Sequence, residues 1–108
     1  MPTPLLPPES GPIRRPLPRE LEIATAFLSA QAGVTRVWLF GSAAKGRKLD
    51  WRSDLDFAVE GLPASALGGV WSKLDARLSY PADLVRWEAA SEALRAQIRA
   101  WGKVLYET

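Results

Sequence analysis

The sequence predicts an α/β (α+β) unit, a small mixed β-sheet with helices packed on it. Three observations lead there. Helical and strand periodicities alternate along the chain in the order α-β-loop-β-α-β-α-β. The 108 residues are 47% hydrophobic and 24% charged, the make-up of one ordinary globular domain. Seven of the nine prolines fall within Met1–Pro18, which sets apart a proline-rich N-terminal arm (residues 1–18) from a compact unit (residues 19–108).

The arm lacks the N–H groups that helices and ladders need, so it reads as extended chain, with Leu5, Leu6 and Ile13 available to pack on a partner. From Arg19 to Ala32 the spacing of Leu21, Ala24, Phe27 and Leu28 predicts a helix stopped by Gly33. Val34 to Phe40 is short, β-branched and aromatic, a buried strand broken by Gly41-Ser42. Asp54 to Val59 alternates polar and apolar, a second strand closed by Gly61 and Pro63. Pro63 to Leu78 predicts a helix, weakened by Gly68-Gly69. Ala82 to Trp87 is a third strand after Pro81. Ser91 caps a helix to Trp101 with Leu94, Ile98 and Trp101 on one stripe, and Val104 to Tyr106 adds a short strand after Gly102. Of the five tryptophans, Trp38 and Trp101 are expected in the core or at a subunit contact, and Trp71 and Trp87 at the sheet edges. Trp51 sits in a loop where it could stack on a nucleobase or meet a partner.

Two absences restrict the chemistry. The chain has no Cys and no His, which excludes a thiolate nucleophile, an imidazole base and the usual zinc sites. Carboxylates, hydroxyls, amines and oxygen-bound hard metals remain. With 14 Lys+Arg against 12 Asp+Glu the net charge is +2, which argues against a nucleic-acid partner. No apolar run reaches the ~18 residues of a membrane-spanning helix, and no secretory signal opens the chain, so a cytoplasmic location is expected. A unit this small buries a modest share of its surface, which leaves room for a homo-oligomer or a partner interface.

Two features flank one loop. At Gly41-Ser42 a strand ends in a turn where a glycine lets an anion approach backbone N–H groups and a serine adds a hydroxyl. At Asp54-Leu55-Asp56 strand periodicity puts both carboxylates on one face. Paired carboxylates repel unless a proton or cation sits between them, and they suit Mg²⁺. Asp83 begins the next strand and completes a triangle of acids if the strands are neighbours. The loop between, Ala43 to Ser53, holds Lys45, Arg47, Lys48 and Arg52 against Asp50, as a polyphosphate substrate requires. Each feature alone is commonplace, a glycine turn, a solvated loop, a strand end; their order along the chain is what points to one site.

That order resembles the signature of the minimal nucleotidyltransferase (MNT) family, which has the DNA polymerase beta-like fold. The likeness runs through Val37-Trp38-Leu39-Phe40-Gly41-Ser42, Lys45-Gly46 and Ser53-Asp54-Leu55-Asp56-Phe57-Ala58-Val59, and covers roughly Glu20 to Glu107. It implies that Gly41 and Ser42 hold the phosphates of a nucleoside triphosphate. It implies that Asp54, Asp56 and Asp83 are catalytic acids binding Mg²⁺, two ions in the usual arrangement. Lys45 and Arg47 are added as phosphate contacts from charge and position. Ala43 stands where many relatives carry a larger polar residue, and the loop is about one residue longer than common. Members of this size resemble the antitoxin half of HEPN/MNT toxin–antitoxin modules, which implies AMP transfer from ATP to a hydroxyl of a helical HEPN toxin. Two alternatives stay open: an antitoxin that neutralises its partner by contact alone, and a small-molecule nucleotidyltransferase (aminoglycoside-type) that borrows an acceptor domain.

Overall fold

A computed structural model of the chain describes residues 13–50 and 52–108. Leu5 and Leu6 of the arm and Trp51 of the loop lie outside the described residues. The elements are α1 (Leu17–Ser29), β1 (Arg36–Phe40), α2 (Gly41–Ala44), β2 (Leu55–Glu60), α3 (Leu67–Arg77), β3 (Ala82–Arg86), α4 (Glu92–Trp101) and β4 (Lys103–Glu107), with 3-10 turns at Ala64–Ala66 and Trp87–Ala89. Among the described residues no helix is long and apolar enough to cross a membrane.

The sheet has the order β3-β2-β1-β4. It is mixed: β1 runs antiparallel to both β2 and β4, whereas β2 and β3 are parallel, joined through α3. Alternation along the strands divides the core between two faces. Val37, Leu39, Leu55, Phe57, Val59 and Leu84 face α1 and α3, meeting Ala24, Leu28, Val70 and Leu74. On the other face Trp38 and Ala58 meet Ile98 of α4, with Phe40, Val85, Trp87 and Leu94 packed around them.

Several boundaries differ from the sequence reading, for physical reasons. Helix α1 begins at Leu17, because Pro18 occupies the first turn, where a missing N–H costs nothing. Its axis ends at Ser29, and the chain winds on through Gln31 N–H to Leu28 C=O (3.1 Å) and Val34 N–H to Gln31 C=O (3.2 Å). Gly33 then reverses it at φ 89°. The expected helix Pro63–Leu78 starts as the 3-10 turn, so the glycine pair lies in the first turn of α3. The Ser91 cap is present, its side chain accepting from Leu94 N–H.

The tryptophans follow the sheet. Trp38 is buried, and Trp71 Nε1 donates to Ala82 C=O on edge strand β3 (2.8 Å). Trp87 covers a face rather than an edge, stacked on Trp38 with centroids 5.6 Å apart. Trp101 is 60% exposed, since the helix ends there, and of its stripe Ile98 and Leu94 pack on the sheet.

The chain just before α1 is tied to the body. Glu20, wholly buried, accepts from Ser79 N–H (2.5 Å), Ser79 Oγ (2.8 Å) and Tyr80 N–H (3.1 Å), and pairs with Arg15 Nε (2.7 Å). Arg14 donates to Ser79 C=O and Arg15 to Arg77 C=O. Ile13, by contrast, is exposed.

Candidate active site

Register builds the site. Phe40 at the end of β1 pairs with Asp56 on β2, and Asp56 pairs with Asp83 on β3. Paired residues point to the same face, so the Gly41 turn, Asp56 and Asp83 lie side by side across three strands. Asp54 sits just before β2, exposed, two residues from Asp56 and therefore toward the same face. Leu55 and Phe57, both wholly buried, lock that orientation from behind. A one-residue slip would bury the acids, so the register is strongly held.

The glycine turn is shaped by the acids. Gly41 has φ 74°, a left-handed conformation costly for residues with a Cβ. A Cβ there would also overlap Asp56 Oδ2. The carboxylate thus rests directly against the turn, in space available only because residue 41 is glycine. Ser42 is exposed at the start of α2, and its C=O accepts from Arg47 N–H (3.2 Å), which folds the basic loop back over the turn.

The loop closes through Asp50, whose carboxylate accepts from Arg52 N–H (2.8 Å) and pairs with Arg52 NH2 (3.3 Å). Those backbone and side-chain bonds hold the Asp50 carboxyl below its usual range. Lys45 and Arg47 are exposed. Lys45 Nζ lies over the Trp101 ring, 5.7 Å from its centroid, at the rim of the turn.

One of the acids is perturbed by its surroundings. Asp56 is pushed up to about 6 from an ordinary 3.8, by burial first and then by the charges of Asp83 and Asp54. Repulsion of this kind is what a divalent cation relieves. The donor set is all oxygen, as Mg²⁺ prefers. Among the described residues no three acidic side chains lie close enough to hold a metal ion as they stand. One oxygen of Asp83, Oδ1, is engaged by Leu84 N–H (3.1 Å).

Sequence reasoning missed Glu20. Its signal was a carboxylate inside the apolar stripe Leu17, Ala24 and Leu28 of α1, where a charge needs partners. Burial pulls this carboxyl up, but the bonds from Ser79, Arg15 and Tyr80 outweigh it and leave it lowered.

Residues 22–108 match the family described as Polymerase beta, Nucleotidyltransferase. The chain belongs to that nucleotidyltransferase family. No curated protein matches it. Among solved structures it is similar to a toxin–antitoxin with AMP-PNP, at 30% identity over 82% of this chain and 73% of that one, TM-score 0.69. It is also similar to a chain of the tri-AMPylated Shewanella oneidensis HEPN toxin in complex with MNT antitoxin, at 25% identity over 84% and 72%, TM-score 0.67. A third is an MntA–HepT toxin–antitoxin, at 27% identity over 86% and 74%, TM-score 0.64. The nucleotidyltransferase fold and the likeness to MNT antitoxins are as the sequence motif implied.

Proposed function

We propose that this chain is the antitoxin of a HEPN/MNT pair and transfers AMP from ATP to a hydroxyl of its toxin. The observation that carries the reading is the row Gly41, Asp56, Asp83 across β1, β2 and β3, in a family of nucleotidyltransferases. Relatives crystallised with AMP-PNP and with an AMPylated HEPN toxin support ATP as donor and a protein as acceptor.

In the reaction the acceptor oxygen bonds to the α-phosphorus, and the bond from that phosphorus to the α–β bridging oxygen breaks. Pyrophosphate leaves with the electron pair. Gly41 and Ser42 hold the phosphates at the turn, and Lys45 and Arg47 lie within the loop that would meet them. Asp54, Asp56 and Asp83 would hold two Mg²⁺ ions, whose chemistry is to neutralise the triphosphate and lower the pKa of the acceptor hydroxyl. Asp83, on β3 beside Asp56, would also take the hydroxyl proton.

A second reading rests on the exposed apolar side chains Trp101 (60%) and Val104 (46%), which are available to a partner neutralised by contact. Co-expression with the toxin separates the two. The transferase reading expects the partner to carry AMP and growth to be protected, with both lost in Asp56→Asn. Full protection by Asp56→Asn, with no AMP on the partner, supports contact alone.

A further inference from the structure

The acids stand at the end of the sheet where the loop 79–81 enters β3, and Glu20 of α1 holds that loop. We propose that Glu20 is a positioning residue for the acids: through this loop it fixes Asp83 beside Asp56 for the metal ions they would share. This inference rests on the transferase reading above and deepens it.

Connectivity gives the first argument, because the loop is bonded on two sides. On one, Glu20 Oε1 accepts from Ser79 N–H (2.5 Å), Ser79 Oγ (2.8 Å) and Tyr80 N–H (3.1 Å). On the other, Pro81 C=O accepts from Leu55 N–H (2.9 Å), and Leu55 lies between Asp54 and Asp56. Immediately after Pro81 the ladder begins, with Ala82 opposite Leu55 and Asp83 opposite Asp56. Consecutive loop residues therefore link one buried carboxylate to all three acids. Pro81 stiffens the link, because its ring fixes φ at about −65°.

The choice of a carboxylate gives the second. Position 20 is wholly buried on the helix face it shares with Ala24 and Leu28. An apolar residue would pack there without the cost of burying a charge. What the carboxylate adds is charge-assisted hydrogen bonds, shorter and stronger than neutral ones. Such bonds suit a loop under load: without a cation, the like charges of Asp54, Asp56 and Asp83 push β2 and β3 apart at this end.

The two oxygens of Glu20 have separate partners, which gives the means of testing the role. Oε1 takes the loop, whereas Oε2 pairs with Arg15 Nε (2.7 Å), a side chain 42% exposed that can turn to water. A glutamine can keep its oxygen on the loop and give up only Arg15.

The test uses full-length ¹⁵N-labelled chain, with Mg²⁺ alone as the probe and the amides of Asp56, Asp83 and Leu84 as reporters. Glu20→Ala is expected to raise the apparent Kd for Mg²⁺ roughly 10-fold or more. Glu20→Gln should stay near wild type, as should Leu28→Ala, which weakens α1 through the core and removes no loop bond. In the transfer assay at saturating Mg²⁺, Glu20→Ala should lower kcat and leave KM for ATP unchanged, because the phosphate turn after β1 keeps its bonds. A further measurement needs no substitution. By linkage, Mg²⁺ should slow hydrogen exchange at Ser79 and Tyr80 more than at Thr35, whose N–H donates to Glu60 C=O (2.9 Å) at the far end of the sheet. Where Glu20→Ala does not fold, the exchange measurement decides. An unchanged Mg²⁺ Kd in folded Glu20→Ala, an equal loss in Leu28→Ala or Glu20→Gln, or equal slowing at all three amides overturns the positioning role and leaves the transferase reading standing. Mg²⁺ shifts at the acids of wild type with no AMP reaching the toxin overturn the transferase reading alone, and absence of those shifts overturns both.

Discussion

Replacing Asp56 by asparagine is expected to stabilise the metal-free protein. In the fold the Asp56 carboxyl sits at about 6 rather than 3.8, through burial and the charges of Asp83 and Asp54. A carboxyl raised on folding favours the folded state fully below its unfolded pKa, and that advantage is lost as pH rises through the folded one. The cost of ionising Asp56 is therefore absent below 3.8 and complete above about 6. Two pH units correspond to about 3 kcal/mol. The side chain is only half-buried, so solvent screening cuts the figure to about 1 kcal/mol. For a domain this size that is a rise in Tm of about 5 °C. Thermal unfolding of wild type and Asp56→Asn, with chelator present, checks it at pH 7.5 and pH 4. The gain is expected at pH 7.5 and should vanish at pH 4. No gain at pH 7.5, or an equal gain at both, refutes the reasoning that the acids are held together against their repulsion.

The other predictions follow from the same contacts. Mg²⁺ is expected to raise the Tm of wild type, by about 2.7 kcal/mol of stabilisation at a hundred times its Kd, and to do little for Asp56→Asn; a calorimetric scan with and without Mg²⁺ reads both. Gly41→Ala should cost about 2–3 kcal/mol from its left-handed backbone and the overlap with Asp56, measured by urea unfolding, and should abolish transfer. Glu20→Ala leaves buried N–H groups of Ser79 and Tyr80 without their acceptor and should cost about 2–4 kcal/mol. Because the Glu20 carboxyl is lowered from 4.5, wild type should exceed Glu20→Ala in stability above pH 4.5, with the difference shrinking as pH falls below it.

Much of the site was legible because its signal is local. Asp54-Leu55-Asp56 is a period-2 pattern, and Leu55 and Phe57 do face the core while the acids face out. Gly41-Ser42 ended a buried strand, where a sharp turn was required. Asp83 was less accessible to sequence reasoning. Its place beside Asp56 depends on β3 running parallel to β2, a pairing made only after the intervening α3 has folded back. The contact of Glu20 with Ser79 and Tyr80 spans about sixty residues and left no local trace beyond a charge in an apolar stripe. Pro16 and Pro18 read as part of an extended arm, yet they lead into α1, because a helix tolerates proline in its first turn and nowhere deeper. Trp101 fell on the apolar stripe of α4 but is exposed, because periodicity marks a face and says nothing of where the sheet beneath it ends.

The central claim is that the acids beside the Gly41 turn transfer a nucleotide to a partner. Its most direct test incubates the purified chain with Mg²⁺, α-phosphate-labelled ATP and the partner toxin, beside Asp54→Asn and Asp56→Asn. Label on the toxin with wild type and a loss of at least a hundredfold in both variants is the predicted result. Undiminished label with the variants, or none with wild type while ATP binds, contradicts it.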